Sequence, residues 1–313
     1  MQTLFGMRLC GMGWGMFDAD LTVALIKATV QIDQPINDAK RMVGTGFLIS
    51  VPRKDGTTET VLVTAAHVFE KMPAPEVRVG WRVLTPKGWV YTPQNITIRT
   101  KDGPAWYQNP NQDIAVIPVT VPSAAKDAVL PESLLADDQT FAAAKVSAGD
   151  EMMTLGYPHG LSANVAGFPI LRAGRMASYP VMPSTAFPTF LIDLTAVPGN
   201  SGGPVFMNGG AGKGNFIAGV LIKQVEDGDQ RLELGVVTDA VFVRQTIDLM
   251  LKAEGKGDVP VNLRVQPAAP APMHTPGGAT TDTKDMVPTS GAAQGKPSGE
   301  ETETSAGTTV DGK

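Results

Sequence analysis

The sequence contains one cysteine, Cys10, which excludes an intrachain disulfide framework and any multi-cysteine zinc site. Histidine is almost as scarce. His67, His159 and His274 are the three present, too few for a His-rich metal site. Long apolar runs are missing as well: Phe216–Ile222 falls far short of the ~20 residues needed to cross a bilayer. A basic excess is also absent, since the net charge is −5 and the pI about 5.3, so a nucleic-acid binder relying on a basic face is excluded. What the 313 residues do contain is 42% hydrophobic and 18% charged side chains, the balance of a chain with a packed core.

The two ends differ from the middle. From Gln266 to Lys313 there are 48 residues without Phe, Trp, Tyr, Leu or Ile, of which thirteen are Gly or Pro and twelve Ser or Thr. Such a segment cannot bury enough apolar area to offset its ordering entropy, and residues 258–313 are expected to be a disordered tail. Residues 1–20 read as a leader or a signal segment. Gly11, Gly13 and Gly15 break the apolar stretch, and Phe17-Asp18-Ala19 is a poor cleavage site. Arg8, just before Cys10, argues against a lipoprotein signal, and an overlong gene start fits equally.

Between these ends the apolar pattern is short and strand-like. Leu21–Ile32, Val43–Val51, Thr60–Thr64, Glu76–Leu84, Trp89–Arg99 and Ile114–Val119 form one set of six. Glu151–Gly156, Pro169–Ala177, Thr189–Leu194, Pro204–Met207, Asn215–Lys223 and Arg231–Val237 form another. Turn clusters such as Pro52–Gly56 separate them, so the fold class is all-β. The expected organisation is a first six-strand group over 21–121, a connection over 122–150, and a second six-strand group with a C-terminal helix over 151–257, each a sandwich or a barrel. In that helix Thr238 is the expected N-cap, and Ala240, Val241, Val243, Ile247, Met250 and Leu251 recur near helical spacing up to Gly255.

Three local signals carry chemistry. His67 follows the β-branched strand Leu62-Val63-Thr64, a place where a histidine is more often structural. Asp113 immediately precedes the apolar run from Ile114, where Asp commonly caps a turn. The segment Pro198-Gly199-Asn200-Ser201-Gly202-Gly203-Pro204 sets a serine among glycines. By itself it is an ordinary Gly-rich loop, yet little bulk obstructs the hydroxyl and the backbone can turn amide N–H groups toward an oxyanion. A serine nucleophile needs a base, and the base needs a carboxylate to hold its tautomer. The order His67, Asp113, Ser201 supplies all three.

With that order the sequence resembles the chymotrypsin/trypsin-like serine peptidases, over roughly Leu21–Leu251. Gly44-Thr45-Gly46-Phe47-Leu48-Ile49 looks like the family's second-strand motif. Gly156-Tyr157-Pro158-His159-Gly160-Leu161 and Asp193 have counterparts in the bacterial heat-shock-type branch. The resemblance implies two six-stranded antiparallel barrels. It also implies His67 as general base and acid, Asp113 as its orienting carboxylate and Ser201 as nucleophile. The backbone N–H groups of Gly199 and Ser201 would form the oxyanion hole, and no metal or organic cofactor would be required. The primary pocket would be lined by Thr195, Ala196 and Val197, then by Ile222, Lys223 and Gln224. Thr195 stands where trypsin-type members keep a carboxylate, so Val, Ala or Leu is expected before the scissile bond rather than Arg or Lys.

Departures from the family are equally specific. Asn200 replaces the Asp that pairs with a new amino terminus in digestive members, so activation by that route is not expected. Ile222 replaces a Ser or Thr that normally supports the catalytic Asp. A PDZ domain, usual in the heat-shock branch, is not expected after Gly257. His159 is expected to serve its loop, and His274 to be incidental. The function implied is a serine endopeptidase acting on polypeptides. The alternatives are an inactive trypsin-like binding or scaffold protein and an esterase on the same fold. Because most proteins of this bacterial type are exported, the resemblance points to a periplasmic or secreted location.

Overall fold

In the computed structural model, residues 20–37, 40–209, 213–227 and 230–255 are described; the expected leader and tail lie outside them, as do Cys10 and His274. The chain starts with helix α1 (Leu21–Ala28), followed by strands β1 (Thr29–Asn37), β2 (Lys40–Pro52) and β3 (Thr58–Thr64). A short helix α2 (Ala66–Lys71) precedes β4 (Glu76–Thr85) and β5 (Gly88–Thr97). The two-residue strands β6 (Arg99–Thr100), β7 (Gly103–Pro104) and β8 (Tyr107–Gln108) lead to β9 (Ala115–Pro118).

The first expected strand is therefore half helix. Asp20 caps α1 by accepting the Thr22 N–H at 2.9 Å, and Leu21, Leu25 and Ala28 bury one helical face. Thr22, Val23 and Ile26 supply β-branched residues that suggest a strand, but burial follows the four-residue spacing.

β1 to β5, β8 and β9 form a sheet in the order β5-β4-β1-β2-β3-β9-β8. Both faces of its centre are covered. Phe47, Ile49 and Val51 of β2 pack into one apolar cluster and Leu48 into another; Val61 and Val63 of β3 likewise oppose Leu62. The connection carries β10 (Leu130–Pro131), which pairs in parallel with β2, and helix α3 (Asp138–Ala144), capped by Asp137. These make eight strands in the first sheet, where six antiparallel ones are expected from sequence.

The second half closes fully. β11 (Glu151–Gly156), β12 (Ile170–Met176), β13 (Thr189–Asp193), β14 (Pro204–Asn208), β15 (Asn215–Asp227) and β16 (Gln230–Asp239) form a six-stranded barrel in the order β11-β12-β13-β16-β15-β14. Helix α4 (Val241–Gly255) ends the described chain and buries Phe242, Val243, Thr246, Ile247 and Met250. Its cap is Asp239, whose Oδ1 accepts the Val241 N–H at 3.0 Å. Thr238, the cap expected from sequence, is instead the penultimate residue of β16, paired with Thr189 and Val220. The strand runs directly into the helix, and its last residue, Asp239, still paired with Gly219, provides the cap one position beyond the expected one.

Candidate active site

His67 lies in the first turn of α2, directly after β3, and Asp113 lies in the loop before β9. Their side chains meet: His67 Nδ1 is 2.6 Å from Asp113 Oδ2, and the His67 backbone N–H donates to Asp113 Oδ1 at 2.9 Å. Burial alone would raise the Asp113 carboxyl, but the His67 hydrogen bonds and charge outweigh it and hold the group below its ordinary value. An ionised carboxylate only accepts, so Nδ1 carries the proton and Nε2 is left as the basic nitrogen.

The loop carrying Asp113 is shaped by a buried amide. Asn109 Oδ1 accepts the N–H groups of Asn111 and Gln112 at 3.0 and 3.1 Å. Its Nδ2 donates to Phe242 O and Thr246 Oγ1 of α4, at 3.3 and 3.2 Å. The C-terminal helix thereby braces the turn that presents the aspartate.

Ser201 lies between β13 and β14 in a loop that only glycine can build. Gly199 has φ +97°, and a Cβ there would meet the Tyr157 carbonyl oxygen at 2.1 Å. At Gly202, φ +89°, a Cβ would meet the Thr45 carbonyl oxygen at 2.0 Å. The carbonyls of Pro198, Gly199 and Ser201 are tied to residues outside the loop. His159 N–H donates to Pro198 O at 2.7 Å, Thr45 Oγ1 to Gly199 O at 2.6 Å, and Thr45 N–H to Ser201 O at 2.9 Å. Asn200 N–H turns back to Val197 O and Gly202 N–H to Leu221 O. Among the described residues the N–H groups of Gly199 and Ser201 donate to no acceptor, so two neighbouring amide donors remain available for an oxyanion.

The serine hydroxyl itself donates to Ile222 O at 3.2 Å, and no hydrogen bond joins it to His67. Ile222 therefore contributes a carbonyl at the position where the family keeps a hydroxyl; its side chain is buried in an apolar cluster. Hydrogen bonds of a catalytic serine are often long or misaligned without substrate.

The remaining sequence-predicted positions lie in the second half of the fold. Thr195, Ala196 and Val197 follow β13, while Ile222, Lys223 and Gln224 lie in β15. Lys223 is exposed. Gln224 Nε2 and Oε1 are both buried without a hydrogen-bond partner, and so are both polar atoms of Asn200. His159 sits on the turn Pro158–Gly160 and contributes its backbone N–H, not its ring, to the serine loop. Among the described residues no three His, Cys, Asp or Glu side chains converge as metal ligands.

Besides Asn109, sequence reasoning assigned no role to four participants. Thr45 is fully buried, and besides its two bonds to the serine loop its Oγ1 accepts the Tyr157 N–H at 3.2 Å. Tyr157 donates its hydroxyl towards Thr29 O and Gly167 O, and burial pushes the phenol up to about 12. Gln31 and Arg41 both donate to Gly160 O and so secure the turn that holds Pro198. Thr45 and Tyr157 lie inside the two motifs quoted above, whereas Gln31 and Arg41 have no local signal.

A closed β-barrel, a second sheet and a His–Asp pair beside a glycine-framed serine define a serine-peptidase fold. The family model described as trypsin-like peptidase domain matches residues 44–213, more than half of the chain, and the chain belongs to that family. Among solved structures it is similar to the HtrA-type protease AlgW with a tripeptide, at 15% identity and a TM-score of 0.48. The match covers 77% of this chain and spans 64% of that structure's chain. No curated protein matches it. Among the described residues no helix is long and apolar enough to cross a membrane.

Proposed function

We propose that this chain is a serine endopeptidase working through an acyl-enzyme, with His67, Asp113 and Ser201 as its triad. The observation that carries this is the doubly bonded His67–Asp113 pair beside a serine loop whose two free N–H groups belong to Gly199 and Ser201. Rotation of the Ser201 hydroxyl from Ile222 O towards His67 Nε2 would set the base. Oγ then attacks the scissile carbonyl carbon, and its proton passes to Nε2. The developing oxyanion accepts from the Gly199 and Ser201 N–H groups. The C–N bond breaks as Nε2 returns the proton to the leaving amine, giving an ester on Ser201. Water, deprotonated by the same nitrogen, cleaves the ester and releases the acid and the free serine.

One observation favours a second reading, an inactive scaffold of the same fold: the Ser201 hydroxyl is engaged by Ile222 O rather than by His67. A fluorophosphonate probe on the purified full chain separates the two. Labelling of the wild type that disappears in Ser201→Ala supports the enzyme. A folded wild type that stays unlabelled overturns it.

A further inference from the structure

One side chain beside the serine loop has no counterpart in the sequence-predicted pocket. Arg172 lies in β12, opposite Thr154 of β11. Burial alternates along this strand, with Leu171, Ala173 and Arg175 exposed and Met176 in the barrel core, so Arg172 shares the inward face. Its guanidinium donates to the carbonyl of Thr195, 23 residues away, at the start of the expected pocket wall. Strand β12 pairs with β13 only through Arg175 and Met176. Beyond that point the two strands part, and the segment from Leu194 onward runs past Arg172.

The charge on this guanidinium is unanswered. One neutral carbonyl occupies one of its five N–H donors, and among the described residues no carboxylate pairs with it. A half-buried cation in that state lacks the partner that usually accompanies it. Gln224 adds a second unmet demand. It is paired in register with Gly235, which is itself paired with Ile192 of the barrel core, so the three share the inner face. Both polar atoms of its amide are buried without a partner. A guanidinium without a counter-charge and a buried amide N–H without an acceptor are both met by one acceptor-rich group, and a carboxylate is the side chain that offers it.

We propose that the pocket beside Ser201 takes an acidic side chain, so that cleavage follows Glu or Asp, with Arg172 and Gln224 as its ligands. This rests on the peptidase reading above and differs from the sequence-based expectation of Val, Ala or Leu, which leaves Arg172 out. The test uses the full chain and fluorogenic peptides identical except for Glu, Gln, Ala or Arg before the scissile bond. Charge-assisted hydrogen bonds predict a kcat/KM for Glu about ten-fold or more above isosteric Gln, with Arg the poorest substrate. Arg172→Met should collapse the Glu-to-Gln ratio to near one, and Arg172→Glu should move the preference towards Arg. If these variants fail to fold, the wild-type ratio still decides. Equal or better cleavage after Gln or Ala overturns the proposal while leaving the peptidase reading intact. A serine that labels with fluorophosphonate while the Glu peptide is not cut also overturns it. Absence of both labelling and cleavage removes the peptidase reading, and this proposal with it.

Discussion

Replacing Thr45 by Val tests whether the serine loop is held from the opposite half of the molecule. The two side chains have nearly the same shape, so the change removes a hydroxyl and little else. That hydroxyl is fully buried; it donates to Gly199 O at 2.6 Å and accepts from Tyr157 N–H at 3.2 Å. A methyl in its place leaves a buried carbonyl and a buried N–H unpaired, at about 1–3 kcal/mol each. The expected loss of stability is about 2–6 kcal/mol, a large share of the ~5–15 kcal/mol that keeps a typical domain folded. Chemistry should suffer separately. With Gly199 O released, the peptide plane beside the Gly199 N–H can turn, and losing one oxyanion donor costs ~10²–10³ in kcat. Urea unfolding followed by tryptophan fluorescence gives the first quantity, and the rate of fluorophosphonate labelling under native conditions gives the second. Thr45→Ser, which keeps the hydroxyl, should recover most of both. A Thr45→Val protein that unfolds within ~0.5 kcal/mol of wild type and labels within two-fold would refute the bracing described here.

Asp113→Asn presents an NH₂ group where Nδ1 needs an acceptor, which moves the imidazole proton to Nε2; labelling and peptide turnover at neutral pH should fall by about 10⁴. Gly199→Ala forces a Cβ to within 2.1 Å of the Tyr157 carbonyl oxygen at a positive φ, so the variant should lose activity and lower the unfolding midpoint in a thermal melt. Asp239 is raised to about 7 by burial first and by the nearby Asp137 and Asp138 second, against the Val241 N–H. The folded state therefore holds this proton more tightly than the unfolded one. Stability should fall as pH rises from about 4 through about 7 and level off above, on the order of a few kcal/mol, and Asp239→Asn should flatten that slope in urea titrations.

Most of the strands could be read as short apolar runs between turn clusters, because central strands such as β2 and β3 are packed on both faces. Glu151–Gly156 is bounded in the structure as the sequence suggests, and ten further strand positions were recognisable within a few residues. Leu21–Ile32 was not, since Leu21, Leu25 and Ala28 carry a helical spacing while their β-branched neighbours carry a strand composition. His67 and Asp113 could be paired from chain order and motif alone. Thr45, Gln31 and Arg172 could not be assigned roles, because each acts on a backbone carbonyl far along the chain. A carbonyl acceptor leaves no trace in residue identity, so contacts of this kind escape motif reading.

These long-range backbone contacts explain why the candidate site cannot belong to one half of the molecule. Asp113, carried by the first half, sits on a turn shaped by Asn109, and Asn109 is anchored to Phe242 and Thr246 of the last helix. Ser201, carried by the second, has its loop fixed by Thr45 of the first sheet, through Ser201 O and Gly199 O. The turn that holds Pro198 is secured in its turn by Gln31 and Arg41, again from the first sheet. Asp113 and Ser201 thus each sit on a turn or loop held by polar groups of the other half, and His67 is tied to that arrangement through Asp113. Such contacts are directional and lose strength steeply with misalignment, so a small slip between the halves would disarrange His67–Asp113 and the serine loop together. The same polar contacts that dock the two halves therefore set the geometry on which the proposed reaction depends.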